Sequence, residues 1–157
     1  MEDTTYEKNV FVQAADCVVR AECFSDVSYD IKLNMPRGEW FTGCADIKFK
    51  VNKMPTTDLF FDFRGIKIAE YAINGQPVAE NPNIFKNHHV SIPSAMLTAN
   101  EQVNTVKIFF LNKYRKDGVG LHSFTDKVDA EQYIYTQFEA DFCHYVFPCF
   151  DQPDLKA

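Results

Sequence analysis

The chain has 157 residues, 46% of them hydrophobic and 15% aromatic, and carries a formal net charge of -6. That length suits one domain, residues 1–157, with a core that needs no metal or disulfide, and the composition excludes disordered and fibrous classes. The acidic balance excludes a phosphate-tracking surface, so no nucleic-acid partner is expected.

Taken in chain order, residues 10–24 match helix and strand templates each in part, and the β-prone runs Val10-Phe11-Val12 and Cys17-Val18-Val19 favour a strand. Val27, Tyr29, Ile31 and Leu33 then alternate with polar residues. After the Pro36-Arg37-Gly38 turn, Ala45, Ile47, Phe49 and Val51 alternate again, which predicts two antiparallel strands with one wet face. Leu59-Phe60-Phe61-Asp62-Phe63 reads as a short strand covered on both sides. Ile66-Lys67-Ile68 and Tyr71-Ala72-Ile73 lead into Asn74-Gly75, a tight-turn pair whose members both tolerate positive φ.

Residues 90–92, 103–111 and 133–136 read as further strands, and residues 93–97 as a short loop or single helical turn. Lys113-Tyr114-Arg115-Lys116 reads as a solvated basic loop, and Gly118-Val119-Gly120 as a turn after the long strand. The sum is a mainly β fold, one antiparallel domain of saddle or sandwich shape. No apolar stretch reaches the roughly 18 residues that span a bilayer. The opening Met1-Glu2-Asp3-Thr4 also lacks the basic start of a signal peptide, so a cytoplasmic location and no membrane partner are expected.

The residues that carry chemistry form no complete catalytic constellation. The helical zinc-peptidase pattern H-E-x-x-H places two imidazoles on one face and a glutamate beside the metal-bound water. It is absent, because none of His88, His89, His122 and His144 precedes a Glu. His88 and His89 are adjacent, so on a strand they face opposite ways, and a loop or edge position is expected. The five cysteines, Cys17, Cys23, Cys44, Cys143 and Cys149, are odd in number without C-x-x-C spacing, which points to reduced, mostly buried thiols. Adjacency of Cys143 to His144 does not supply the side-chain hydrogen bond of an activated thiolate. No catalytic and no metal-ligating residue is assigned.

One segment does carry a recognisable pattern. Tyr133-Ile134-Tyr135-Thr136-Gln137-Phe138-Glu139 is followed, after seven residues, by Phe147-Pro148-Cys149-Phe150-Asp151-Gln152-Pro153 and then Lys156-Ala157. It resembles the Y-x-Y-T-Q-F-E and F-P-C-F-D-x-P elements in the N-terminal β domain of the M1 zinc aminopeptidases, the group of aminopeptidase N and puromycin-sensitive aminopeptidase. Tyr29-Asp30-Ile31-Lys32-Leu33, Phe61-Asp62-Phe63-Arg64-Gly65 and Asp117-Gly118-Val119-Gly120-Leu121-His122 are similar to the same domain, so the resemblance runs over residues 27–157.

The resemblance implies that Gln137 lines the first specificity pocket and that Glu139 binds the free α-amino group of a peptide. A terminal amine with a pKa of roughly 7.7–8.0 is largely protonated at neutral pH, and a cleft carboxylate offers it a charge-assisted hydrogen bond. Asp151 and Pro153 are implied to anchor the loop beneath. Two features depart from the family. His144-Tyr145 stand where it carries one or two arginines, which removes a permanent cation from beside Asp151. The zinc-binding H-E-x-x-H and the amine-binding G-x-M-E-N belong to the family's following domain, and the chain is expected to stop short of its final strands.

The expected function is therefore the substrate-cleft domain of a zinc metallo-aminopeptidase. No cofactor is expected in this chain, zinc is expected in the parent enzyme's following domain, and the partner is a peptide N-terminus once a catalytic domain is joined. The alternative is a stand-alone structural or interaction module, pairing with a protein partner or with itself through an open sheet edge.

Overall fold

The computed structural model describes residues 13–99 and 102–157. In chain order, α1 (Ala14–Cys23) leads into β1 (Phe24–Asn34), β2 (Trp40–Val51) and β3 (Leu59–Asp62). Next come β4 (Lys67–Ile73), β5 (Gln76–Pro77), β6 (Phe85–Lys86) and β7 (His89–Ile92). A 3-10 turn (Ser94–Met96), β8 (Val103–Lys113), β9 (Gly120–Thr125), β10 (Gln132–Gln137) and a second 3-10 turn (Cys143–Tyr145) complete it. The expected mainly β, antiparallel fold is observed.

The strands form a five-stranded sheet in the order β1-β2-β8-β4-β5, a three-stranded sheet β3-β7-β6, and a separate pair β10-β9. Alternation decides which face is dry: Phe41, Ala45, Ile47, Phe49 and Val51 of β2 and Val106, Ile108 and Phe110 of β8 all point inward and are buried. The three-stranded sheet covers that face. Phe61 meets Phe49 edge-on at 6.2 Å, and Phe63 meets Phe110 at 5.1 Å. The layer is closed by Phe150 from the C-terminal segment, 4.6 Å from Phe61 and 5.8 Å from Phe49. The motif-bearing end of the chain is thus part of the core.

Residues 14–23 are a helix, which corrects the expected strand; Val10-Phe11-Val12 lies outside the described residues. Arg20 and Cys23 are buried, with Asp16 and Cys17 half-buried behind them, and this is the spacing of a helix face. Val18 and Val19, whose β-propensity suggested a strand, are exposed at 56% and 42%. Ala14, Ala15 and Ala21 favour the helix, and burial of Arg20 decides it.

Arg20 is fully buried, and its Nη1 donates to Asp62 Oδ2 at 2.8 Å and to the Phe60 carbonyl at 3.3 Å. Its guanidinium carbon also lies 4.9 Å from the Phe60 ring centroid and 5.7 Å from that of Phe150. The aromatic faces stabilise a cation that has left water.

Other differences have local causes. β4 is one strand, and a bulge between Ile68 and Glu70 breaks the alternation that had suggested two. The Asn74-Gly75 turn has the expected positive φ at both residues, 51° and 76°. β5 and β6 are two residues each, too short to leave a pattern, and β9 begins at Gly120, the last residue of the expected Gly118-Val119-Gly120 turn. The basic loop is solvated in part: Lys113 and Lys116 are exposed, whereas Tyr114 is buried with its hydroxyl donating to the Pro36 carbonyl, and Lys116 Nζ donates to the Ser123 carbonyl. His89 pairs with Asp62 across the β3–β7 ladder and stacks on Phe60 with centroids 3.8 Å apart, so it is half-buried in a sheet.

Arg20→Met leaves the Asp62 carboxylate buried without its cation, and a loss of about 3–5 kcal/mol is expected, measured by chemical denaturation. The double variant Arg20→Met, Asp62→Leu is expected to recover part of it. Burial pushes the His89 ring below its ordinary value of 6.5, with the Asp62 charge opposing and the Arg20 charge assisting. The unfolded chain then binds the proton more readily, so this contribution to stability is full above pH 6.5 and is lost as pH falls through the depressed folded value. His89→Phe is expected to flatten that part of the acid slope in denaturation midpoints recorded between pH 7 and pH 5.

Candidate substrate-binding site

β9 and β10 pair with Tyr133 opposite Phe124, Tyr135 opposite His122, and Gln137 opposite Gly120. The two-residue period of a strand puts Tyr133, Tyr135 and Gln137 on one face, and all three are exposed. Phe124 stacks on Tyr133 at 5.5 Å and the His122 ring lies tilted against Tyr135 at 4.8 Å, making an aromatic strip that ends at Gln137. Leu121 and Ser123 on the opposite face are buried.

Just past β10, Gln137 Oε1 accepts the Glu139 N–H at 3.1 Å, which orients the amide and leaves its NH2 end outward. The carboxylate of Glu139 is exposed, and among the described residues no ion pair or hydrogen bond engages it. Phe138 between them turns inward against Phe147, at 6.3 Å. The two polar side chains therefore stand side by side on a ledge held from behind by an aromatic pair.

Beneath the ledge lies the turn Cys143–Tyr145. The Arg64 N–H donates to the His144 carbonyl at 2.8 Å, and Asn112 Nδ2 donates to the Tyr145 carbonyl at 2.8 Å. Asp151 Oδ2 accepts the His144 N–H at 3.0 Å and lies 2.6 Å from His144 Nδ1. The Asp151 N–H in turn donates to Asp62 Oδ2 at 3.1 Å. Pro153 is exposed in the following turn, where Gln152 Nε2 donates to the Cys17 carbonyl at 3.1 Å and ties the segment to α1.

His144 thus makes a contact with Asp151 from one of the two positions where the resemblance implied an arginine. Tyr145 fills the neighbouring one, and its ring has two guanidiniums against it. Arg64 lies 5.1 Å from the ring centroid with Nη1 donating to the Tyr145 hydroxyl at 2.8 Å, and Arg115 lies 4.3 Å away. Burial of Asp117 opposes its charge, yet its pairing with Arg115 outweighs this and holds the carboxyl below the usual range. Arg64 and Arg115 had no local signature, because residues 64, 115 and 145 meet only in the folded chain.

A groove of about 560 Å³ lies elsewhere, on the outer face of the five-stranded sheet around Ile68, Val78, Ile84 and Phe109, and includes neither Gln137 nor Glu139. The residues singled out by the motif form an open wall. Gln137 and Glu139 are both exposed on it.

Residues 25–157 match the model of the Peptidase M1 N-terminal domain. The chain belongs to that family. Aminopeptidase N of Streptomyces lividans is 29% identical over 141 residues, spanning 88% of this chain and 16% of that protein. Aminopeptidase Q of Homo sapiens is 43% identical over 42 residues, 27% of this chain and 4% of that one. The fold is shared with native yeast LTA4 hydrolase, at a TM-score of 0.66 and 21% identity over 84% of this chain and 21% of the hydrolase. The same enzyme in complex with bestatin superposes at 0.64, with 20% identity over the same shares. The M1 N-terminal domain described here spans about a sixth of the length of the Streptomyces relative.

Gly120 is the tightest point of this M1 domain's wall. Its φ is +63°, and a Cβ there would stand 2.8 Å from Tyr145 Cβ and 3.3 Å from Arg115 Cδ. Gly120→Ala is expected to cost about 1–3 kcal/mol, read as a lower denaturation midpoint, with hydrogen exchange faster in β10 and in the Cys143–Tyr145 turn.

Proposed function

We propose that this domain forms the amine-recognising wall of an aminopeptidase cleft. The observation that carries the reading is the pairing of an exposed, unengaged Glu139 carboxylate with the oriented Gln137 amide on one rigid hairpin end. Glu139 binds the protonated α-amine of a peptide, and among the described residues no cation pairs with its carboxylate. Gln137 contacts the first side chain and holds it against the strip that Tyr135 begins. An internal peptide bond presents no cation to Glu139, so the wall selects chain ends. Family membership and the resemblance of the Tyr133 to Pro153 segment support the reading.

In the M1 enzymes zinc supplies the Lewis acid that activates water for hydrolysis. Among the described residues no group of three or more His, Cys, Asp and Glu is placed to hold that ion. The residues of this chain bind and orient, and the hydrolytic centre is assigned to a following domain. The interaction-module alternative is less well supported. β1, which pairs only with β2 among the described residues, carries Asp30, Lys32 and a bulge after Ser25, features that blunt an edge against strand addition.

The test joins the chain to an M1 catalytic portion and follows aminoacyl-anilide hydrolysis. Glu139→Gln is expected to lower kcat/KM about 10–150-fold, the worth of one charged hydrogen bond, while N-acetylated substrates remain poor for both proteins. An unchanged kcat/KM would overturn the assignment. The chain by itself is expected to turn over no anilide, with or without added zinc.

A further inference from the structure

The face of β9 and β10 that ends at Gln137 is lined with rings and open to solvent. Phe124, Tyr133 and Tyr135 are exposed at 43%, 46% and 45%, whereas Leu121 and Ser123 on the other face are buried. We propose that this strip selects peptides whose first residue is aromatic, with Tyr135 as the residue that sets the preference. The inference rests on the reading of Glu139 as the amine-binding group and adds to it the class of side chain that the wall accepts.

Tyr135 is held on one side and still keeps nearly half of its surface open. The Gly118 N–H donates to His122 Nδ1 at 2.9 Å, which fixes the imidazole and, in its neutral form, puts its own proton on Nε2. That imidazole lies against the Tyr135 ring with centroids 4.8 Å apart, and the Tyr135 hydroxyl stands 3.8 Å from the place a Cβ on Gly118 would take. Next along the strip, Phe124 and Tyr133 stack at 5.5 Å with their planes 19° apart, and the Tyr133 hydroxyl donates to Asp129 Oδ2 at 2.7 Å. The rings are set before a ligand arrives, which spares part of the ordering cost of binding.

Spacing and charge decide which side chain fits. Tyr135 and Gln137 are two residues apart on one strand, a rise of about 6.6 Å. A first residue anchored at Glu139 by its amine must reach past Gln137 to touch Tyr135, so an alanine methyl falls short and a benzyl ring arrives. Contact between ring faces and edges then adds to simple burial. The charged groups that adjoin the rings are already engaged: Asp129 by the Tyr133 hydroxyl, Asp117 by Arg115, and Lys116 by the Ser123 carbonyl. The strip therefore offers ring surface to the first side chain and no counter-ion, and an acidic side chain would be repelled by Glu139 itself.

The test titrates the purified full chain with phenylalaninamide, alaninamide, argininamide and N-acetylphenylalaninamide, following backbone and ring resonances by NMR. Phenylalaninamide is expected to shift Gln137, Glu139 and the Tyr135 and His122 rings together. It is expected to bind about 3–10-fold more tightly than alaninamide, a ratio that Tyr135→Ala brings close to one. Equal affinity for the phenylalanine and alanine amides, or tighter binding of argininamide, would overturn the proposal and leave the amine reading in place. Equal binding of N-acetylphenylalaninamide would overturn the amine reading, and with it the restriction to a first residue. No shift from any amide would overturn both. In the joined protein, the ratio of kcat/KM for phenylalanine anilide over alanine anilide is expected to fall about 3–10-fold in Tyr135→Ala. An unchanged ratio, as when the catalytic portion itself covers the strip, would also count against the proposal.

Discussion

The carboxylate of Asp62 is the point from which the rest of the domain hangs. Its Oδ2 accepts Arg20 Nη1 at 2.8 Å and the Asp151 N–H at 3.1 Å, while its main chain pairs with Cys149 on one side and His89 on the other. A buried ion pair adds little net stability over an apolar replacement, but breaking one partner is costly. What the pair does here is specify. It selects the helical face of α1 that points inward, the register of β3, and the path of the C-terminal segment, three parts of the chain that no local pattern would bring together.

From that hub the site is built outward in steps. Asp62 holds Asp151, Asp151 holds the His144 turn, and that turn places Tyr145 under Gly120 of β9, directly opposite Gln137 on β10. The ledge that carries Gln137 and Glu139 is therefore referenced to the core through hydrogen bonds and close contacts, not through its own strand alone. A binding group on a protruding hairpin gains its precision this way, since exposed strands without such support fluctuate. The substitution of family arginines by His144 and Tyr145 fits the same logic. An imidazole reaches Asp151, and two arginines, one just past β3 and one in the loop after β8, flank the Tyr145 ring.

The strand plan was legible because burial on one face imposes a period of two, and that period survives in β1, β2, β8 and β10. It failed where the period was too short to register, as in β5 and β6, or was shifted, as by the bulge in β4. Residues 14–23 failed for a different reason. Intrinsic propensity there is divided, and the deciding term is the burial of Arg20 against a carboxylate 42 residues away. In the basic loop charge correctly suggested water for Lys113 and Lys116, which are exposed, but not for Tyr114, which is buried, nor for Arg115, which lies on Tyr145.

By itself the amino-acid sequence determined the fold class and the segment of interest. Alternation is a local property, and the Tyr133 to Pro153 pattern with its Gln137 and Glu139 is written contiguously in the chain. Only the tertiary structure decided which groups support that segment and which cations flank Tyr145. Those pairings join residues distant in the chain or depend on how a loop closes on the core. Their energies come from desolvation and from hydrogen-bond geometry, and neither exists until the chain has folded.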